Sequence, residues 1–156
     1  MTHSSTTRLR VAAYVIRRTG TGPQLLVFDQ VGVPAAGTQI PAGGVEPGEA
    51  LSDAVVREIA EETGLTDVTL VAELGAEDKP HPETGQPRHT TYFHVHVPSC
   101  GRSSWIHRVR AAGQDNGLRF ACRFTALPLS AHLADHQDVF LDRIAPAWAT
   151  TTHRSR

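Results

Sequence analysis

Three glutamates, Glu58, Glu61 and Glu62, fall within one short stretch of the chain. On a helix advancing about 100° per residue, Glu61 and Glu62 lie about 60° and about 40° to either side of Glu58. One helix face therefore carries three carboxylates, at i, i+3 and i+4. Two turns earlier the same face is apolar, with Leu51, Ala54 and Val55. A solvated glutamate run belongs on the outer face, whereas these acids extend the core-facing one. They repel one another by roughly 0.2–0.5 kcal/mol per pair, and the helix C-terminus disfavours negative charge. A sequence that accepts all three penalties is expected to compensate with cations. Oxygen ligands without His or Cys suit Mg²⁺ or Mn²⁺ rather than zinc. Arg57, four residues before Glu61, is placed to hold a carboxylate.

The surrounding residues Gly43, Glu49 and Arg57-Glu58-Ile59-Ala60-Glu61-Glu62-Thr63-Gly64-Leu65 resemble the complete Nudix box, G-x5-E-x7-R-E-U-x-E-E-x-G-U, where U is a bulky aliphatic. Every residue-specific position is met. At roughly one in fifteen per position, chance agreement at a given start is on the order of one in 10⁸. The resemblance implies an α/β fold, an α/β/α sandwich with a mixed sheet between helices. It also implies metal-dependent hydrolysis of a phosphoanhydride bond in a nucleoside diphosphate linked to another moiety. Glu58, Glu61 and Glu62 would hold Mg²⁺ or Mn²⁺, with the backbone carbonyl of Ala42 as a further ligand. Arg57 would orient a glutamate, and Glu49 would fix the loop and the helix start. Gly43, Gly44 and Gly48 are expected to let the backbone turn tightly, and Gly64 to end the helix.

A pyrophosphate is strongly anionic and repels a water nucleophile, which bound cations counter. A carboxylate must then take the water's proton. The expected catalytic set is Arg57, Glu58, Glu61 and Asp115. Asp115 lies in Gly113-Gln-Asp-Asn-Gly117, which also reads as an ordinary Asp-Asn-Gly turn. Glu77, Asp78 and Glu83 compete for the role of base. Arg88, His94, His96, Arg119 and Arg123 are candidate substrate-binding residues, against a bland reading of each as a surface or half-exposed strand side chain. Trp105 is expected to pack on the core rather than to stack on a base. The alternative function is a nucleotide-sensing Nudix-like domain that does not cleave, a kind expected to lose box carboxylates that this chain keeps.

These residues need elements to position them. Period-2 apolar patterning predicts strands at about 8–17, 24–30, 68–74, 91–97, 105–111 and 118–124, with a short extended piece at 39–41. The helix is predicted from near Glu49 to Gly64. Loops 31–39 and 75–89 are expected to set the substrate. Phe140, Leu141, Ile144 and Trp148 have helical spacing and predict a second helix. One domain is read over 8–148, with tails at 1–7 and 149–156 expected to be flexible.

Fifteen basic residues nearly balance sixteen acidic ones. A protein that holds duplex nucleic acid by charge shows a basic excess, so a small nucleoside diphosphate derivative is the expected partner. No apolar run approaches the length of a membrane span, and the N-terminal residues lack the apolar core of a signal peptide. The expected location is the cytoplasm. Cys100 and Cys122 form no metal-binding or redox pattern. The oligomeric state is left open, a homodimer included.

Overall fold

The computed structural model describes residues 6–98, 102–111 and 116–144. Its strands are β1 (Arg8–Thr19), β2 (Gly22–Gln30), β3 (Ala42–Gly44), β4 (Thr69–Asp78), β5 (Arg88–His96), β6 (Ser104–Arg108) and β7 (Arg119–Ala126), and its one α-helix among the described residues is α1 (Leu51–Thr63). They form a seven-stranded mixed sheet in the order β4-β5-β1-β2-β7-β6, with β3 paired to β1. β1 runs parallel to β5 and antiparallel to β2 and β3. Hence the fold is the mixed-sheet α/β sandwich that the box implied.

β1 is apolar from Val11 to Ile16 because both of its faces are covered, as interior strands require. Val11, Ala13 and Val15 face α1, which seats Ala54, Val55 and Ile59 on them. Ala12, Tyr14 and Ile16 face the opposite layer, with Leu133, Phe140 and Ile144. Trp105 belongs to the first core, its ring 5.9 Å from that of Phe124, as its apolar reading expected. Cys122 is buried there as a free thiol, and burial pushes its pKa up to about 12.

Three sequence expectations need correction. The second layer is not an α-helix among the described residues. It consists of 3₁₀ turns at Ala134–His136 and Leu141–Arg143, and Trp148 lies outside the described residues. The buried Tyr14 hydroxyl explains the difference. It donates to the Gln137 carbonyl (2.5 Å) and accepts from the Phe140 N–H (3.1 Å), so these backbone groups bond the sheet instead of a helical turn. Secondly, β4 continues to Asp78, so the loop begins only at Lys79. Register shifts between Leu70 and Ala72 and between Glu73 and Gly75 break the alternation that a period-2 reading needs. Finally, β5 is not half-exposed: it lies between β4 and β1, and His94 is only 1% exposed. No helix among the described residues is long and apolar enough to cross a membrane.

Burial, with the nearby His96 adding to it, pushes the His94 pKa down to about 4 from its ordinary 6.5. A depressed histidine contributes stability that is complete above the unfolded value. That stability is lost as pH falls from 6.5 toward 4, because the unfolded chain protonates first. Urea unfolding of the wild type is therefore expected to weaken over this window relative to His94→Gln, with a constant difference above pH 7. A difference that does not change with pH would show that His94 is not held neutral.

Candidate active site

α1 begins without a side-chain cap, since its N-cap residue is Ala50. Glu49 steadies the entry instead, its Oε1 accepting the Glu46 N–H at 3.0 Å. At the other end Gly64 adopts φ 80°, and its N–H closes the helix on the Ala60 carbonyl. The last turn is pinned from outside. The Trp105 indole N–H donates to the Thr63 carbonyl at 2.9 Å, and the Arg110 N–H donates to the Glu61 carbonyl at 3.1 Å. The His107 ring nitrogen lies 3.1 Å from that same carbonyl.

Arg57 organises the box. Its Nε and Nη2 donate to both Glu49 oxygens at 2.7 and 2.8 Å. Nη2 also reaches the Gly44 carbonyl at 2.8 Å, while Nη1 reaches Glu58 at 2.9 Å and Glu61 at 3.1 Å. This fork ties the glycine loop to the helix and holds two of the three acids side by side. It lowers the Glu49 pKa to about 2. Glu62 is buried, and its Oε1 accepts the Ala42 N–H at 2.8 Å, which anchors β3.

Glu58 is also buried, and its pKa is pushed up to about 7. Burial is the largest cause; Arg57 opposes it and the Glu61 charge adds to it. Gly43 makes the approach possible, because a Cβ there would overlap the Glu58 carboxyl. A Cβ on Gly44 would likewise overlap the Arg8 guanidinium. The role expected of these two glycines is thus revised. Neither has a positive φ; both provide room. Gly48, at φ 75°, does need its conformational freedom.

Glu58, Glu61 and Glu62 line a cleft of about 280 Å³ between α1, the β3 loop and the Val109–Ala111 segment. Their donors are all hard oxygens, and a cation would relieve the repulsion that raises Glu58. The second oxygens of Glu58 and Glu61 have no hydrogen bond among the described residues. The residues therefore fit Mg²⁺ or Mn²⁺ in chemistry. As they stand, with Arg57 and the Ala42 N–H engaging them, no three acidic, His or Cys side chains converge on one point among the described residues.

The other candidates are placed elsewhere. Asp115 lies outside the described residues. Arg88 is buried in an ion pair with Asp135 at 2.9 Å. His94 is enclosed within the sheet layers and His96 is half-buried at the end of β5, so neither lines the cleft. Arg119 is exposed at the start of β7, and Arg123 is paired with Asp29. Glu77 and Asp78 bond His136 and His89. The sequence reading passed over Arg8 and Arg10, two residues apart on β1, which the structure brings beside the box. The signal available was their period-2 spacing at the start of an otherwise apolar strand.

A family model described as the NUDIX domain matches residues 6–142. No curated protein matches the chain in sequence. Among solved structures, the NUDIX domain of Shewanella oneidensis NrtR, complexed with ADP ribose, is 15% identical with a TM-score of 0.67; the match covers 88% of this chain and 86% of that one. A MutT NUDIX hydrolase from Burkholderia pseudomallei is 23% identical at a TM-score of 0.61, over 90% and 99%. A UDP-X diphosphatase is 15% identical at a TM-score of 0.61, over 91% of this chain and 63% of that one. At such identities the structures speak for the fold. The family model, spanning most of the chain and all of the Arg57-centred site, shows that the protein belongs to the Nudix hydrolase family.

Proposed function

We propose that this chain hydrolyses a phosphoanhydride bond in a nucleoside diphosphate linked to another moiety, using Mg²⁺ or Mn²⁺ at Glu58, Glu61, Glu62 and the Ala42 carbonyl. The observation that carries this reading is the group of mutually repelling carboxylates beside Gly43, Glu58 and Glu62 buried among them, with Glu58 raised to about 7. A sensor that only binds nucleotide needs no such group. The substrate class is supported by the ADP ribose and UDP-X named for two structural neighbours and by the near-balanced charge of the chain.

When bound, the cation would neutralise diphosphate oxygens and acidify a water. The chain's own residues do the rest. Arg57, fixed by Glu49, keeps Glu58 and Glu61 aligned along the helix face. Glu62, tied to Ala42, keeps β3 against that face. Arg8 lies exposed at the rim, over Gly44, where it offers positive charge to an arriving anion. The proton acceptor is to be sought among Glu58, Glu61 and Asp115. Asp115→Asn with turnover near normal would assign it to the box.

A phosphate-release screen over nucleoside diphosphate derivatives, with Mg²⁺ or Mn²⁺, tests the activity. Full turnover after exhaustive chelation would overturn it. Glu61→Gln or Glu62→Gln should cut turnover by at least about a hundredfold while the fold survives. Normal turnover in both would remove the metal assignment.

Gly43→Ala should also lower turnover about a hundredfold, by displacing the Glu58 carboxyl. Gly44→Ala meets only the flexible end of Arg8 and should be far milder. Equal effects at the two positions would contradict the role given to Gly43.

The raised Glu58 pKa sets a pH dependence. In the metal-free protein its contribution to stability is full below about 4.5 and is lost as pH rises through about 7. Cation binding requires the ionised form, so Mg²⁺ should raise the unfolding temperature more at pH 8 than at pH 6. A gain that is equal at both values would show that Glu58 does not meet the ion.

A further inference from the structure

Arg10 pairs across β1 with Gly44 on one side and Thr90 on the other. Its side chain enters a narrow pocket that it shares with Ala42, Lys79, Arg88 and Asp135. Burial, and after it the charge of Arg88, holds its pKa below the ordinary guanidinium value. Asp135 and Glu62 act on Arg10 through space, yet its guanidinium makes no hydrogen bond or ion pair among the described residues. Asp135 is committed elsewhere, to Lys79 at 2.6 Å and to Arg88 at 2.9 Å. Glu62 is bonded to the Ala42 N–H.

A desolvated cation without a directly paired anion is costly. Arg57 and Arg88 avoid that cost through carboxylates, and Arg8 avoids it through exposure. Arg10 is only half-buried but has no such pair, so its position suits an anion that arrives from outside. The site of that anion is next to the box. Ala42 lines the Arg10 pocket and is also the residue that Glu62 grips, and the Arg10 charge reaches the Glu58 carboxyl. Adjacent phosphates of a diphosphate share one bridging oxygen. A group held at the box carboxylates would bring its neighbour toward Arg10, whose strand partner Gly44 lines the carboxylate cleft. Asp135 and the following His136 are held at φ 53° and 56°, the turn that directs the Asp135 carboxylate to Lys79 and Arg88. Both of those cations are thereby occupied, which leaves Arg10 for the ligand.

We propose that Arg10 is the seat of the second phosphate, the one next to the phosphate held at Glu58, Glu61 and Glu62. The proposal rests on the hydrolase reading for the identity of the first phosphate. Its guanidinium offers paired N–H donors to two phosphate oxygens.

Two probes without a nucleoside separate this role from general attraction of anions. Methylenediphosphonate carries two phosphorus centres and a bridge that water does not cleave, while inorganic phosphate carries one. Calorimetric titration of the Mg²⁺-loaded protein should show tighter binding of the diphosphonate. Arg10→Gln should weaken the diphosphonate by about tenfold or more and phosphate by less than about threefold, so that the preference collapses. Equal losses for both probes, no loss, or no preference in the wild type would each overturn the proposal. Should Arg10→Gln not fold, Arg10→Lys is read instead. It keeps the charge but not the fork, and it should still lose several-fold on the diphosphonate alone; unchanged binding overturns the proposal. The two readings fail separately. Arg10-dependent preference without hydrolysis of any compound in the screen would sink the enzyme assignment and keep the seat. Hydrolysis with binding indifferent to Arg10 would do the reverse.

Discussion

The site depends on one cation, Arg57, surrounded by more negative charge than it can neutralise. Its fork holds both oxygens of Glu49 and one oxygen each of Glu58 and Glu61, and it still reaches the Gly44 carbonyl. One guanidinium thus serves three carboxylates. The arrangement is stable in position because the fork is rigid and multidentate. It is unbalanced in charge, and the imbalance appears at the most buried member of the group, Glu58, whose pKa rises toward neutrality. Geometry is provided by the protein, and the missing positive charge is left for something that binds.

The rest of the fold is arranged around keeping that imbalance in place. β3 is only three residues long, yet it pairs with β1, is gripped by Glu62 and carries the glycine that admits Glu58. β1 is the element common to every layer. One of its faces is the floor on which α1 rests, and the other ends in Arg10, beside the Asp135 network. The two sheet faces therefore carry different chemistry at the same end of the sheet. The α1 side presents carboxylates, whereas the opposite side presents guanidinium and ammonium groups held by a single half-buried aspartate. A polyanion with a bound cation is complementary to both at once.

What was legible in the sequence follows from which forces are local. The helix, its glycine stop and the acidic face were readable because i, i+3 and i+4 spacing is a property of the helix itself. Glu62 at the end of a buried face announced its own burial. The second layer was misread because Phe140, Leu141 and Ile144 do face the core, but through turns in which the Gln137 carbonyl and the Phe140 N–H bond Tyr14, more than a hundred residues away in sequence. No local pattern carries that information. His94 is a similar case: β5 alternates like a strand with one wet face, and only its insertion between β4 and β1 under a covering layer makes it dry on both. Arg10 was passed over for the opposite reason. Its spacing from Arg8 was visible, but a charged residue at a strand start has no meaning until the fold shows which groups surround it.

The C-terminal end of α1 is less hostile to acids than a bare helix end would be. Acids near a helix C-terminus should be disfavoured by the partial negative charge of the unpaired carbonyls. Here the Glu61 carbonyl takes the Arg110 N–H, with the His107 ring beside it, and the Thr63 carbonyl takes the Trp105 indole. β6 and the residues after it thus cover the helix end with hydrogen-bond donors. Those donors weaken the local field that would oppose Glu58, Glu61 and Glu62. The remaining cost is the repulsion among the carboxylates and the burial of Glu58, the two causes that raise its pKa. A bound cation acts on both. β6, an edge strand that contributes no carboxylate to the site, therefore acts on it electrostatically. It weakens the opposition at the helix end and leaves the repulsion and the burial, which a cation relieves.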